Sequence, residues 1–159
     1  MRLSFVETMR GTVRDLHGEV HSIAFDVNAM GNSGDGHFAL RGLAHAPHWA
    51  REAAAHGTLT IAPRERTITY AVRFRSEAGE ELLLDAQKRF SFLAPRRSMT
   101  LMPVTLRDPS GEVIARGEMT FDLREILPFL ASWLPLIKTQ QKRLDVRRRA
   151  VVRALLRGT

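Results

Sequence analysis

The sequence contains no cysteine among its 159 residues. Disulfides, thiolate nucleophiles and cysteine-ligated metal or iron–sulfur centres are therefore excluded. Long hydrophobic runs are also missing, since the longest covers only residues 126–137 and is too short to span a bilayer. The opening residues reach Glu7 and Arg10 before an apolar signal-peptide core can form. We therefore expect a cytoplasmic protein that is at most peripheral to a membrane.

Positive and negative charges balance each other in most of the chain. Residues 1–137 contain sixteen basic and sixteen acidic side chains, so residues 138–159 carry the whole formal net charge of +7. This distribution predicts a domain over 1–137 followed by a basic tail over 138–159, which is the part that should meet an anionic partner. The candidate anion-binding or membrane-binding residues of the tail are Lys142, Arg143, Arg147, Arg148, Arg149 and Arg153.

Three kinds of partner fit the basic tail. A helical tail would gather its apolar residues loosely on one side and spread its arginines over the rest, which suits an anionic membrane surface, an acidic protein face or nucleic-acid phosphates. No aromatic residue follows Trp133, so the tail cannot stack on bases. Nucleic acid is therefore the least favoured of the three partners.

Apolar and polar residues alternate with a period of two up to about residue 121, which is typical of half-buried strands. The predicted strands are 2–9, 19–28, 37–45, 58–62, 66–76, 81–90, 98–107 and 112–121. Glycine-containing clusters between them predict turns at 77–79 and 108–111. A short helix is predicted over 47–55, where Pro47 would begin it and Gly57 would end it. About eight antiparallel strands need closure to protect their edges. We therefore predict an all-β fold, a calycin-like barrel or barrel-like sandwich.

A C-terminal helix is predicted over 123–134, after the last strand. The sequence Asp122-Leu123-Arg124-Glu125 has the pattern of a capping box, and apolar residues then recur at helical spacing. This helix would plug or flank the barrel, because its apolar face would otherwise be exposed. The alternative is an interfacial helix with Trp133 at the headgroup level of a membrane.

Two charged residues interrupt apolar rows. Glu7 shares a strand face with Leu3, Phe5 and Met9, and Lys88 continues a row of leucines in a later strand. A lone buried charge costs several kcal/mol unless it is paired. We therefore predict that Glu7 and Lys88 face each other or a common ligand, unless they lie near strand ends and reach water.

Several short motifs together resemble a known family. They are Phe5-x-Glu7-x-Met9-x-Gly11, Gly42, Gly57-x-Leu59, Tyr70-x-Val72-x-Phe74, and Gln87-Lys88 ahead of Thr100-x-Met102. In this order, over residues 3–134, they resemble the small β domain found with GMC-type, cholesterol-oxidase-like flavoprotein oxidoreductases of bacteria. The chain departs from that family at Ala86-Gln87-Lys88, where Gly-x-Lys is usual. It also has a shorter segment over 96–100.

The resemblance implies a non-catalytic, lipocalin-like accessory domain that binds or presents a lipidic, sterol-like ligand beside an oxidoreductase partner. No Gly-x-Gly-x-x-Gly follows a strand, so no dinucleotide cofactor is expected. The candidate ligand-binding residues are Phe5, Glu7, Met9, Tyr70, Val72, Phe74, Leu84 and Lys88. One alternative is a docking module with a filled core. A second is a small acid–base enzyme, with Glu7 and Lys88 as weak catalytic candidates.

Histidines cluster in one part of the sequence. His45 and His48 flank Ala46-Pro47, and His56 follows eight residues later. No acidic residue completes a recognised metal-binding spacing with them. The sequence therefore predicts neither a metal site nor a bound cofactor.

Overall fold

The chain folds into a closed barrel of eight antiparallel strands. The computed structural model describes residues 2–32, 34–89 and 101–121. The strands are β1 (Arg2–Asp15), β2 (Val20–Asn32), β3 (His37–Ala46), β4 (Ala50–Ala62), β5 (Thr67–Arg75), β6 (Glu81–Arg89), β7 (Leu101–Arg107) and β8 (Val113–Phe121). Each strand pairs with the next, and β8 pairs with β1. The predicted all-β antiparallel architecture is confirmed as a barrel, which leaves no unpaired sheet edge.

Side-chain alternation builds the core inside the barrel. In β5, Ile68, Tyr70, Val72 and Phe74 are buried, whereas the residues between them are half-buried or exposed. Burial of each large apolar side chain contributes about 1.5–3 kcal/mol. The same pattern recurs in the other strands, and Glu7 is the one buried charged residue in the described part of the chain.

Three hairpins at one end of the barrel share a five-residue turn. This distal end, where β1 ends, carries the β1–β2, β5–β6 and β7–β8 turns, which begin at Asp15, Ser76 and Asp108. In each turn the amide of the first residue donates a hydrogen bond to the carbonyl of the fifth residue. The fourth residue is a glycine, and its amide donates a hydrogen bond to the carbonyl of the first residue. These glycines have φ of 84–88°, a conformation that other residues rarely adopt. The turns predicted at 77–79 and 108–111 are confirmed.

The helix predicted over 47–55 is wrong. The Trp49 amide donates to the Ala46 carbonyl at 2.8 Å, so Pro47 lies at the second position of a tight turn, where its fixed φ also fits. Residues from Ala50 onward belong to β4, which pairs with β3 and β5. The helix preference of alanine, worth under about 1 kcal/mol per residue, is outweighed by these strand pairings on both sides.

Glycines inside the strands allow close backbone approaches. A Cβ built at Gly57 would lie 1.9 Å from the Ala71 carbonyl oxygen, and one at Gly117 would lie 1.9 Å from that of Thr12. Glycine within a strand weakens the sequence signal, which explains why β1 was predicted to end at residue 9, before Gly11.

The predicted helix over 123–134, the basic tail over 138–159 and the boundary between residues 137 and 138 lie outside the described residues. The candidate anion-binding residues of the tail lie there too. In the described ranges, no helix is long and apolar enough to cross a membrane.

Candidate functional site

A polar pair lies inside the barrel. Glu7 projects inward from β1 and is 1% exposed, and Tyr70 projects inward from β5 and is 0% exposed. Because β5 is four strands from β1 in either direction around the barrel, the two side chains meet across the interior. The Tyr70 hydroxyl donates a hydrogen bond of 2.5 Å to Oε1 of Glu7. We call these two residues the interior dyad.

The environment keeps the Tyr70 hydroxyl protonated. Burial raises the pKa of Tyr70 well above its ordinary value, and the charge of Glu7 and the hydrogen bond to it raise this pKa further. The phenol is therefore a permanent donor at neutral pH. A hydrogen bond from a neutral donor to a carboxylate is shorter and stronger than one between neutral groups.

Apolar side chains surround the interior dyad. The ring of Phe121 lies 4.8 Å from that of Tyr70, and Val27 is the neighbour of Glu7 on β2. At the proximal end, where β1 begins, Phe5 packs edge-on against Phe38 at 5.4 Å. The site thus combines an apolar lining with a carboxylate and a phenol.

The structure places all eight predicted ligand-binding residues on inward-facing rows of their strands. Phe5 and Lys88 are half-buried and lie toward the proximal end. The other six are buried within the barrel: Glu7, Met9, Tyr70, Val72, Phe74 and Leu84.

Lys88 and Glu7 have separate partners. Lys88 donates to the backbone carbonyl of Leu101, whereas Glu7 accepts from Tyr70. No salt bridge joins Glu7 to Lys88 among the described side chains. The sequence reasoning missed Tyr70 as the partner of Glu7, although a phenol at an inward position normally requires an acceptor.

A second cluster lies at the distal end. The histidines that are close in sequence separate in space: His45 lies 3.5 Å from Asp26, and His56 lies 3.9 Å from Glu81. His48 instead stacks on His21. Asp15 and His21 belong to the first hairpin and His48 to another turn, so sequence spacing alone could not reveal this cluster.

Asp15 is the charged member of this distal cluster. His21 Nε2 lies 2.8 Å from Oδ2 of Asp15, and the two side chains are 13% and 10% exposed. The hydrogen bond with His21, assisted by the backbone amides of Glu19 and His17, lowers the pKa of Asp15 to about 2. Asp15 is therefore a carboxylate at neutral pH.

Comparisons of the chain with protein-family models, curated proteins and solved structures found no match. The resemblance to the β domain of cholesterol-oxidase-like flavoproteins therefore stays a prediction.

Proposed function

We propose that the barrel binds a lipidic, sterol-like molecule that carries a hydroxyl group, and that it holds this molecule without transforming it. The observation that carries the proposal is the interior dyad of Glu7 and Tyr70, a hydrogen-bonded polar pair whose buried neighbours in the described strands are apolar. Sites for small hydrophobic molecules are typically apolar with a few placed polar groups that fix the ligand's orientation.

The size of the barrel is compatible with one small ligand. Eight-stranded barrels are just wide enough to be filled by their own side chains or to hold one small molecule. Burial of an apolar ligand surface favours binding by about 25 cal/mol per Å². A rigid, largely apolar molecule such as a sterol would therefore gain more binding free energy in this interior than a polar molecule of the same size.

The chemistry of the dyad selects the ligand's polar group. The Glu7 carboxylate accepts hydrogen bonds, and Tyr70 already donates one to it. A ligand hydroxyl can donate to a carboxyl oxygen of Glu7, whereas an ionised ligand carboxylate has no hydrogen to donate to it. The dyad therefore favours an alcohol over a fatty acid.

We propose that the ligand enters the barrel at the proximal end. Inward-facing Phe5 and Lys88 are half-buried there. Toward the distal end, a layer of inward-facing apolar residues is at most 2% exposed: Val13, Ile23, Phe74, Leu82 and Leu106. A ligand that enters from the proximal end would reach Glu7 and Tyr70 without disturbing this distal core.

A matched ligand pair tests the proposal. Binding of cholesterol and of cholest-5-ene, which lacks only the hydroxyl, is measured by displacement of a fluorescent sterol from the wild type, Glu7→Gln and Tyr70→Phe. We expect cholesterol to bind the wild type at least about tenfold more tightly, since a charged hydrogen bond is worth about 1.5–3 kcal/mol. Glu7→Gln should reduce the difference in affinity between the two compounds. Glu118→Gln, a control at an exposed position, should leave this difference unchanged.

The outcomes separate the proposal from its alternatives. If neither compound binds the folded protein, ligand binding is contradicted and a docking module with a filled core is favoured. Turnover that Glu7→Gln abolishes while binding survives would instead favour the acid–base enzyme. An oxidoreductase partner and a cytoplasmic location remain proposals that rest on the sequence.

A further inference from the structure

Three metal-ligating side chains converge at the distal end of the barrel, away from the interior dyad. Asp15 lies at the end of β1, His21 at the start of β2 and His48 in the turn between β3 and β4. Each offers one ligand atom, and these atoms all lie within 4.8 Å of one another. We call them the distal triad.

The turn at Asp15 needs only one of its two carboxylate oxygens. Oδ1 of Asp15 accepts from the amides of His17 and Glu19, as Oδ1 of Asp108 accepts from the amides of Ser110 and Glu112 in the equivalent turn. The turn therefore accounts for the hydrogen bonds that Oδ1 accepts in both Asp15 and Asp108. It does not explain why Oδ2 of Asp15 is directed at His21 Nε2 at 2.8 Å.

Trp49 packs against both imidazoles of the distal triad. The rings of His21 and His48 stack with centroids 3.8 Å apart, and Trp49 packs edge-on against both. The backbone of Trp49 is fixed too, because its amide donates to Ala46 and its carbonyl accepts from Glu77. The turn that carries His48 is therefore tied to the barrel beside His21.

We propose that Asp15, His21 and His48 bind one divalent transition-metal ion of the Zn²⁺ class. Two imidazole nitrogens and one carboxylate oxygen are the donor set of many three-ligand zinc sites, and they also suit other first-row divalent ions. With three protein ligands, a tetrahedral ion keeps one position for water. His48 is exposed, so that position faces solvent.

The separation of the Asp15 and His21 ligand atoms is close to what such an ion requires, and the ligand atom of His48 lies within 4.8 Å of both. Ligand atoms about 2.0–2.2 Å from a zinc ion lie roughly 3.0–3.6 Å apart in tetrahedral geometry. Oδ2 of Asp15 and Nε2 of His21 are slightly closer than this, at 2.8 Å. A small shift of these two groups and a rotation of the exposed His48 ring would complete the site.

Calorimetric titration of the full chain with Zn²⁺ in a non-chelating buffer tests this proposal. The test variants are His48→Ala and Asp15→Asn, of which the second keeps an oxygen for the turn amides. The matched controls are His45→Ala and His56→Ala, which remove histidines that lie beside a single carboxylate each. Circular dichroism verifies that every variant is folded.

We expect one Zn²⁺ per wild-type chain, an affinity at least about tenfold lower in both test variants, and less than about twofold change in the controls. In a Trp133→Phe background, where Trp49 is the only tryptophan, Zn²⁺ should also change the Trp49 fluorescence. The proposal is overturned if Zn²⁺ does not bind, if His48→Ala binds as tightly as wild type, or if all four histidine and aspartate variants lose affinity equally. The last result would indicate general binding to surface histidines.

Discussion

Tyr70 donates a 2.5 Å hydrogen bond to Glu7, a residue 63 positions away in sequence, across the interior of the barrel. The bond joins β1 to β5, which lie four strands apart, the largest separation that a closed barrel of eight strands allows. It therefore adds a link through the core that the strand pairing does not provide. Both groups are buried, so the charge of Glu7 acts on Tyr70 with little screening by water.

Alkaline titration should detect this environment directly. Tyr70 is the only tyrosine, so phenolate absorbance reports on it alone. Its pKa is raised in the folded state, so its contribution to stability is fully present below the unfolded value of about 10 and is lost as pH rises toward the folded value. We expect phenolate to form only as circular dichroism reports unfolding, whereas the urea-denatured chain titrates near pH 10. Reversible titration near pH 10 in a folded chain would contradict the structure.

Removal of the Tyr70 hydroxyl should destabilise the barrel. Tyr70→Phe is expected to lower the free energy of unfolding by about 1.5–3 kcal/mol, because a hydrogen bond to a buried charged group is lost. Urea denaturation of Tyr70→Phe, Glu7→Gln and the double variant forms a mutant cycle. We expect the double variant to lose less stability than the two single variants added together. Strict additivity would show that the two side chains do not interact.

An inward-facing glycine should not tolerate even alanine. At Gly57 the added methyl group would meet the Ala71 carbonyl oxygen at 1.9 Å, and the strands would have to separate. We expect Gly57→Ala to lower the free energy of unfolding by about 3 kcal/mol or more. Gly34→Ala is the matched control, since its new methyl group meets nothing within 4 Å, and it should change stability by less than about 0.5 kcal/mol. Equal effects at both sites would refute the close approach.

The basic tail should contribute to binding of anionic surfaces. Deletion of residues 138–159 removes the entire net charge of +7. We expect the deletion to weaken binding to phosphatidylserine vesicles at low salt, and to have less effect at high salt, because screening already weakens the attraction there. Parallel measurements with duplex DNA compare the two anionic partners. Equal binding by the full and shortened chains to both, at both salt concentrations, would exclude a role for the tail.

Local alternation predicted much of the barrel because each strand has one face toward the core. The row Ile68, Tyr70, Val72 and Phe74 is an example, and the glycine turn at Gly111 marked a hairpin correctly. Short-range patterns failed where long-range pairing decides the structure. The alanine-rich start of β4 looks helical by itself and becomes a strand only because β3 and β5 lie on either side of it.

The candidate site was predictable in its location and less so in its contacts. The inward positions of Glu7 and Lys88 followed from period-two spacing, but which residue meets Glu7 depends on the barrel's closure and diameter. Closure places β5 opposite β1 and brings Tyr70 to Glu7. The distal triad of Asp15, His21 and His48 combines two separate turns, and a one-dimensional spacing rule contains no information about such a combination.

Native mass spectrometry of the gently purified protein, before and after organic extraction, tests the central claim most directly. The account predicts a discrete small-molecule adduct that extraction removes and that added cholesterol restores, with weaker restoration in Glu7→Gln. An unliganded mass that persists after incubation with cholesterol would contradict a ligand-binding interior and would favour a barrel filled by its own side chains.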